Sequence, residues 1–340
     1  MNYPSLLNQL LDKRDLSHDD MLELMHNIMG GKLTTAQIAA VLVALRIKGE
    51  TVSEIAAAAK VMRELSTKVL VKNSSHLIDT CGTGGDGAQT FNISTASAVV
   101  AAAAGAHVAK HGGRSVSSTC GSADVLEKLG VNVNQTPEKV ASCVDSIGVG
   151  FMFAPNHHSA MKHAAPVRRE LGVRTLFNVL GPLTNPAGAS NQVIGVFQKE
   201  LTVKLAQVLK QLGSSHVMVV HGADGMDEIS ISGPTFVAEL KDGSVREYTV
   251  KPQDFGLQAA PLNNIQVSNA DEAKAMLESV MNNQPGAARD IVLLNAGAAI
   301  YVSGIAATLA EGVAKATAVI ASGSAKQKLE QLVQLSNTKG

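Results

Sequence analysis

The sequence predicts an α/β sheet protein joined to a separate small all-helical domain. Residues 1–68 show only helical spacing of apolar side chains, with the short connections that are typical of a helical bundle. From about Val69, short apolar strands alternate with helices, which indicates a βα sheet. Between residues 156 and 186 the pattern becomes helical again. The 340 residues are enough for one large or two smaller domains.

Four helices are predicted in the N-terminal part. The first carries leucines at helical spacing, and Ser17 caps the second. Thr34 or Thr35 starts the third, and the capping box Thr51-Val52-Ser53-Glu54 starts the fourth. The apolar positions are too many for one side of a small bundle, so part of them could form a dimer interface.

The rest of the chain is predicted to alternate between strands and helices. Strands are predicted at residues 77–78, 107–109, 131–133, 150–154, 192–197, 216–221, 228–232, 236–240 and 245–250. Helices are predicted at residues 94–104, 123–129, 137–147, 201–212, 271–281, 287–301 and 305–322.

A glycine-rich loop follows the first predicted strand and precedes an alanine-rich helix. It reads Gly82-Thr83-Gly84-Gly85-Asp86-Gly87, and Asn92-Ile93-Ser94-Thr95 leads into the helix. Glycines let the backbone approach a ligand closely, and a helix N-terminus carries a partial positive charge. Together they favour an anion, most often phosphate. A simple tight turn is the alternative for this loop taken alone.

A basic loop, Lys110-His111-Gly112-Gly113-Arg114, follows the next predicted strand. Open α/β sheets bind ligands at the carboxyl ends of their strands, so this loop would face the glycine loop. Neither established nucleotide motif fits: no G-K-[ST] follows the glycines, and no acidic residue lies about 20 residues on to hold a ribose. We expect a phosphate-rich ligand between the two loops.

Three further groups of polar residues have two interpretations each. Asp227-Glu228 follows a glycine turn and could be surface charge or, beside a phosphate site, ligands for Mg²⁺. Arg168 could simply form a salt bridge with Glu170 or a neighbour. His157, His158 and His163 could bind a metal, but adjacent histidines on a helix point apart, and no cysteine or carboxylate completes a tetrahedral set.

Composition excludes several classes of function. Lys+Arg and Asp+Glu are both 29, so the net charge of zero argues against a nucleic-acid-binding surface. An odd number of cysteines, three, is typical of a reduced cytoplasmic protein. The N-terminus lacks the pattern of a signal peptide, and the most apolar run, residues 96–106, is shorter than the ~20 residues of a membrane helix. We expect a cytoplasmic protein that binds neither nucleic acid nor membrane.

Several motifs, in order along the whole chain, resemble those of the anthranilate phosphoribosyltransferase family. Besides the glycine loop, the Asn92-Ile93-Ser94-Thr95 helix start, the basic loop and Asp227-Glu228, they are Val167-Arg168-x-Glu170-Leu171-Gly172 and Asn178-x-Leu180-Gly181-Pro182-Leu183-Thr184-Asn185-Pro186. The resemblance implies a fold like that of nucleoside phosphorylases and class IV phosphoribosyltransferases, with the substrate cleft between two domains. The helical domain would comprise residues 1–68 and about 157–186, and the α/β domain residues 69–156 and 187–340.

The resemblance also implies the reaction. The enzyme would transfer the 5-phosphoribosyl group from phosphoribosyl pyrophosphate to the amine of anthranilate, release pyrophosphate and serve tryptophan biosynthesis. It would need Mg²⁺ and would form a homodimer. We identify no certain catalytic residue, because positioning and charge stabilisation, with Lys110 as one contributor, would suffice.

The same resemblance implies the binding residues. Phosphoribosyl pyrophosphate would contact Gly82, Gly85, Asp86, Thr90, Asn92, Ile93, Ser94, Thr95, Lys110, His111, Gly112, Gly113, Arg114, Ser115, Val116, Ser117, Ser118 and Ser122. Magnesium would be held by Ser94, Asp227 and Glu228.

Anthranilate would contact Arg168, whose guanidinium matches a carboxylate in two parallel hydrogen bonds, together with Gly82 and the backbone of Gly113. The family's basic loop usually has asparagine where this chain has Gly113, so a side-chain amide is lost. Transfer to another aromatic acceptor therefore stays open. Two alternatives from other classes also stay open: a pyrimidine nucleoside phosphorylase-like enzyme, which shares a similar layout and a glycine loop for phosphate, and a non-catalytic nucleotide-binding regulator, which would need no metal. The phosphorylase would not need the acidic pair Asp227-Glu228.

Overall fold

The computed structural model describes residues 2–114 and 120–338. The N-terminal part forms four helices: α1 Tyr3–Leu11, α2 His18–Met29, α3 Thr35–Lys48 and α4 Val52–Glu64. Side chains cap three of them as expected. Ser17 accepts a hydrogen bond from the Asp20 N–H, and capping boxes start at Thr34 and Thr51.

One seven-stranded mixed sheet forms the centre of the α/β part, in the order β3-β2-β1-β4-β5-β6-β7. The strands β3, β2, β1, β4 and β5 are parallel, while β6 and β7 continue the sheet as antiparallel hairpins. Their bounds are β1 Leu77–Thr80, β2 His107–Gly112, β3 Val149–Phe153, β4 Asn191–Gly195, β5 His216–Gly222, β6 Thr235–Lys241 and β7 Ser244–Val250.

Helices cover both faces of this sheet. After α4 they are α5 Ile93–Ala103, α6 Ser122–Lys128, α7 Pro137–Ile147, α8 Ala154–His157, α9 Ala165–Leu171, α10 Phe177–Leu180, α11 Leu201–Gln211, α12 Ala270–Met281, α13 Ala287–Val302, α14 Leu309–Ala321 and α15 Ser324–Asn337. Short 3-10 turns lie at Ser159–His163, Gly181–Leu183, Pro252–Phe255 and Leu262–Ile265. No helix in the described part of the chain is long and apolar enough to cross a membrane.

Two of the predicted strands were wrong. Residues 131–133 form no strand, because the Val131 N–H closes a turn onto the Leu126 carbonyl at 2.9 Å. Residues 228–232 form no strand either. There the side chain of Asn295 takes the place of a neighbouring strand: it accepts from the Ile229 N–H and donates to the Ile229 carbonyl, both at 2.9 Å.

The C-terminal helices also differ from the prediction. The helix expected from residue 305 begins only at Leu309, because the Thr308 side chain caps it by accepting from the Glu311 N–H at 3.2 Å. The final helix α15 was not predicted. It starts after Gly323, whose φ of +79° makes a sharp turn between two helices.

The apolar side chains form two large clusters, one on each side of the sheet. Strand residues alternate between them, as the period of two requires: Val193 and Met218 join α5 and α13, whereas Ile194 and Val217 face α11. The second cluster also contains the cores of α1–α4 and the apolar residues of α9 and α10. The segment after α8 therefore packs with the N-terminal helices.

Candidate functional site

The candidate site lies where the carboxyl ends of β1, β2, β4 and β5 meet. These parallel strands are neighbours in the sheet, so the loops that follow them converge at one edge. The glycine loop follows β1, the helix start of α5 comes next, and Asp227-Glu228 follows the turn after β5. The sequence analysis predicted this strand-end location for all three.

The backbone of the glycine loop requires glycine at three positions. Gly84, Gly85 and Gly87 have φ values of +67°, +78° and +74°. The loop is tied to the sheet because the Thr83 N–H donates to the Gly195 carbonyl at 2.9 Å. Within the loop, Asp86 accepts from the Ala88 N–H at 3.1 Å.

Polar groups gather at the start of α5. Asn92 is its N-cap residue but makes no cap hydrogen bond; its Nδ2 donates to the Cys120 carbonyl at 3.1 Å, and its buried Oδ1 has no partner in the described residues. The Thr95 hydroxyl donates to Ser122 Oγ at 3.1 Å. Ile93 lies in the hydrophobic core, so only its backbone can contact a ligand. A buried acceptor without a partner at a helix start can receive a hydrogen bond from a ligand.

Lys110 is a strand residue, not a loop residue as expected, because β2 extends to Gly112. Its side chain is only 3% exposed. The Nζ atom donates to the Thr80 carbonyl and, at 3.1 Å, to Ser94 Oγ. The ammonium group therefore lies beneath the start of α5.

His111 is buried in the same strand and supports the site from behind. The backbone N–H of His111 donates to Asp79 Oδ1 at 3.0 Å, and Asn185 Nδ2 donates to Asp79 Oδ2 at 2.7 Å. Burial, followed by the neighbouring His158 and His157, lowers the pKa of His111 to about 3. Burial raises the pKa of Asp79 to about 6. Asp79 thus fastens β1 to β2 and to the segment that carries Asn185.

The histidine metal site suggested as an alternative is not assembled. His157 Nδ1 is 2.9 Å from the Thr67 carbonyl oxygen, His158 stacks against His111 with ring centres 5.0 Å apart, and His163 contacts Gly31. Across residues 2–114 and 120–338, these three rings do not form a set of possible ligands.

The carboxylates of Asp227 and Glu228 meet the glycine loop and the helix start. Asp227 Oδ2 accepts from the Gly84 N–H at 2.7 Å, and the Asp227 N–H donates to Asp86 Oδ2 at 3.3 Å. The Ser94 backbone acts to lower the pKa of Glu228, which places this carboxyl group beside the start of α5. Burial and the repulsion of neighbouring carboxylates raise the pKa values of both acids: Asp86 acts on Asp227, and Asp227 acts on Glu228.

This donor set fits a hard divalent cation. Mg²⁺ prefers oxygen ligands, and its positive charge would stabilise neighbouring carboxylates that otherwise repel one another. Asp227 and Glu228 supply carboxylate oxygens, Ser94 Oγ supplies a neutral hydroxyl oxygen, and Asp86 adds a carboxylate next to Asp227. The residues present therefore fit the ion that the sequence suggested.

Arg168 has no carboxylate partner among the described residues, so the salt bridge to Glu170 considered from sequence is absent. Its guanidinium carbon lies 5.5 Å from the centre of the Phe177 ring. Burial lowers its pKa. A partly desolvated cation with free donors is suited to an anionic ligand.

Some of the predicted binding residues contact other parts of the protein or lie outside the described residues. Arg114 pairs with Asp124 at 2.8 Å and Glu127 at 2.7 Å, so its guanidinium faces α6. Thr90 makes an isolated bridge with Gln266. Ser115, Val116, Ser117 and Ser118 lie outside the described residues.

Three predicted glycines of the site differ in how much space surrounds them. A Cβ at Gly82 would lie 2.4 Å from Asp227 Oδ2, and one at Gly112 would lie 3.1 Å from the Phe151 ring. No described residue lies within 4 Å of a Cβ at Gly113, and the Gly113 carbonyl accepts from the Ala123 N–H at 3.1 Å. The first two positions therefore exclude side chains, and the third does not.

Sequence reasoning missed two residues of this region. Gly195 packs against the Asp227 carbonyl, and Arg174 donates to the Gly85 carbonyl. A glycine at a strand end could have signalled a close backbone approach. Nothing in the spacing around Arg174 distinguished it from other surface cations.

Two family models match the chain. The helical bundle domain of a glycosyl transferase family matches residues 4–66, and the a/b domain of that family matches residues 74–326.

Full-length relatives point to one family within that group. The chain is 60% identical to the anthranilate phosphoribosyltransferase of Nitrosomonas europaea, covering 99% of both proteins. It is 63% identical to that of Thiobacillus denitrificans, covering 97% of this chain and 96% of the relative.

Solved structures agree with this. The crystal structure of the enzyme of that name from Thermus thermophilus is 42% identical, with a TM-score of 0.93 over 99% of this chain and 100% of that one. The Saccharomyces cerevisiae protein, in complex with PRPP and Mg, is 28% identical, with a TM-score of 0.89 over 98% and 97% of the two chains.

Proposed function

Since this chain belongs to the anthranilate phosphoribosyltransferase family, we infer that it transfers the 5-phosphoribosyl group of phosphoribosyl pyrophosphate to the amine of anthranilate. The products are N-(5-phosphoribosyl)anthranilate and pyrophosphate, in the biosynthesis of L-tryptophan. The observation that carries this conclusion is the meeting of the glycine loop, Ser94 and the carboxylates of Asp227 and Glu228 at one sheet edge. The similarity along the whole chain favours this reaction over that of a nucleoside phosphorylase.

The phosphate groups would be held by the glycine loop and the start of α5. The glycine backbone allows close approach, and the start of α5 is the positive end of the helix dipole. The unpartnered Oδ1 of Asn92 supports a ligand hydroxyl there, since it can only accept a hydrogen bond. Lys110 holds Ser94 Oγ from below and places a positive charge beneath the site. The further contacts proposed from the sequence, including those of residues 115–118, stay predictions.

Magnesium would be bound by Ser94, Asp227 and Glu228. When bound, it would neutralise negative charge on the pyrophosphate group as that group leaves. The chain's own contribution is to hold the two carboxylates close to the glycine loop and the start of α5, with the Gly84 N–H donating to Asp227.

Anthranilate would approach from the side of the helical segment. Arg168 would bind its carboxylate, because the guanidinium has no carboxylate partner in the described part of the chain. Gly82 and the backbone of Gly113 would line the same space. Bond breaking at C1 of the ribose leaves a carbocation-like centre, so no strong base is needed, and the site acts by orientation and charge stabilisation.

The domain division 1–68 with 157–186, and 69–156 with 187–340, is part of the proposal. The packing of α9 and α10 with α1–α4 in one apolar cluster supports grouping 157–186 with the N-terminal helices, and the same cluster continues to β4, β5 and α11. The same division places Arg168 on the helical side and the phosphate loops on the sheet side. The substrate cleft would then lie between the two domains.

A homodimer through the N-terminal helices is also proposed. Leu11 on α1 and Ile47 on α3 support it, since they are 63% and 68% exposed despite being apolar. Sedimentation at micromolar concentration tests this, and a monomeric mass would contradict it. A cytoplasmic location is proposed from the three cysteines, all of which are free thiols.

Anthranilate fluorescence provides the test of the reaction. We expect the signal to fall only when phosphoribosyl pyrophosphate and Mg²⁺ are both present, and the loss to stop on chelation. The variant Asp227→Asn, purified in the same way, serves as the control for contaminating enzymes. A folded wild-type protein without turnover at any Mg²⁺ concentration would refute the proposed function.

A further inference from the structure

Arg174 reaches from the connection between α9 and α10 to the glycine loop. Its Nη2 donates to the Gly85 carbonyl, and its guanidinium carbon lies 4.1 Å from the centre of the Phe197 ring. A Cβ at Gly85 would lie 3.7 Å from Nη2 and 3.8 Å from Nε. The planar group therefore lies between the loop backbone and an aromatic ring that follows β4.

This contact crosses from the helical segment to the loop. The other anchors of the loop come from the sheet side, where Thr83 N–H donates to the Gly195 carbonyl and Gly84 N–H donates to Asp227. Within residues 2–114 and 120–338, Arg174 provides the only hydrogen bond between loop residues 82–90 and segment 157–186. It is therefore the direct polar link between the glycine loop and the helical segment.

The backbone around Arg174 is fixed, so the link can transmit a displacement. Arg46 Nη1 of α3 donates to the Arg174 carbonyl at 2.6 Å, and the Thr175 N–H donates to Asn178 Oδ1 at 2.9 Å. Arg168 lies on the preceding helix α9, which ends at Gly172. A short and constrained connection thus joins the two arginines.

The charge of Arg174 is poorly compensated. A guanidinium has five N–H donors, and the Gly85 carbonyl uses one of them. No carboxylate of the described residues lies within ion-pair distance of it. A phosphate group held by the loop would supply the missing negative charge.

We propose that Arg174 is a positioning residue that fixes the glycine loop against the helical segment and so couples the two substrate sites. This inference rests on the proposed function. With phosphoribosyl pyrophosphate bound, the loop, Arg174 and the α9–α10 connection are held together, and Arg168 is held with them. Each substrate therefore binds more tightly in the presence of the other, as reciprocity of coupling requires.

Initial rates over a matrix of both substrate concentrations test this proposal. In the wild type, the KM for anthranilate falls as phosphoribosyl pyrophosphate approaches saturation. In Arg174→Gln, that dependence disappears and the KM for phosphoribosyl pyrophosphate rises about tenfold, the loss expected for a hydrogen bond to a charged group. Turnover at saturation of both substrates changes less than either KM.

Arg169→Gln is the matched control, since it removes the same charge from an exposed position on α9. We expect Arg169→Gln to leave the coupling unchanged.

Phe197→Leu is a second test variant, which keeps the Arg174 cation but removes the aromatic ring beneath it. We expect this variant to weaken the coupling in part, and it provides the test if Arg174→Gln does not fold. A wild type whose two KM values are independent, or an Arg174→Gln variant that keeps the wild-type coupling, would overturn the proposal. Absence of wild-type turnover would instead count against the proposed function, and calorimetric binding of phosphoribosyl pyrophosphate would then compare Arg174→Gln with the wild type.

Discussion

The carbonyl oxygen of Asp227 packs against Gly195 so closely that a Cβ at position 195 would lie 1.4 Å from it. The end of β4 and the acidic turn after β5 therefore touch through their backbones. Because the Gly195 carbonyl also accepts from the Thr83 N–H at 2.9 Å, this glycine sets the distance between the carboxylates and the glycine loop.

We expect Gly195→Ala to impair the enzyme at its metal and phosphate side. The added methyl group must push Asp227 away from Gly84, and a misplacement of about 1 Å can cost on the order of a hundredfold in rate. Steady-state kinetics should show a higher Mg²⁺ requirement and a higher KM for phosphoribosyl pyrophosphate. Gly233→Ala is the control, because nothing lies within 4 Å of a Cβ at that position. Normal kinetics in Gly195→Ala would contradict this prediction and show that the turn carrying Asp227 can shift without loss of activity.

Arg168→Met should separate binding from stability. The side chain is partly desolvated and has no carboxylate partner in the described part of the chain, so its removal costs the fold little. We expect an unchanged or higher Tm together with a KM for anthranilate raised about ten- to a hundredfold. Arg169→Met is the exposed control. A lower Tm with an unchanged KM would identify Arg168 as a structural residue.

The sequence was informative where local rules decide the structure. The capping signals at Ser17 and Thr51 each depend on a few neighbouring residues, and they were found correctly. Of the two residues predicted to start the third helix, Thr34 is its cap. The strand-end location of Asp227 followed from the order of strand and turn alone.

Contacts between residues that are distant in sequence could not be predicted from the chain. The apolar stretch around Ile229 looks like a strand, but its backbone pairs with the side chain of Asn295, which is distant in sequence. Arg174 and Gly85 meet only because the helical segment returns to the loop. Such contacts depend on tertiary packing, on which local periodicity has no bearing.

Glu239 should stabilise the sheet in a pH-dependent manner. It is 2% exposed; its Oε1 is 2.8 Å from His216 Nε2 and accepts from the Tyr301 hydroxyl at 2.7 Å. Burial alone would raise its pKa, but the hydrogen bonds from His216, Tyr301 and Tyr248 outweigh this and lower the pKa to about 2.

A carboxyl group whose pKa is lowered on folding stabilises the protein above its unfolded pKa, near 4.3, and loses that contribution as pH falls toward the folded value. Glu239→Gln should therefore reduce the free energy of unfolding by about 1–3 kcal/mol at pH 7, and by less at pH 4. Urea unfolding at both pH values measures this. Glu247→Gln, on the exposed face of β7, is the control. An equal effect at both pH values would mean that the charge of Glu239 is not what stabilises the sheet.

The position of Gly113 gives the last prediction, Gly113→Asn. The family's usual asparagine would offer a donor and an acceptor to the aromatic acid, and a hydrogen bond to a charged group contributes about 1.5–3 kcal/mol. The described part of the structure can accept this side chain, because Gly113 is not at positive φ and no described residue lies within 4 Å of a Cβ at this position. We therefore expect a lower KM for anthranilate and a nearly unchanged KM for phosphoribosyl pyrophosphate. Gly113→Ala, which fills the same space without an amide, should not lower the KM for anthranilate. If the asparagine variant also leaves it unchanged, Arg168 and backbone groups suffice to hold the acceptor, and the amide is not needed in this chain.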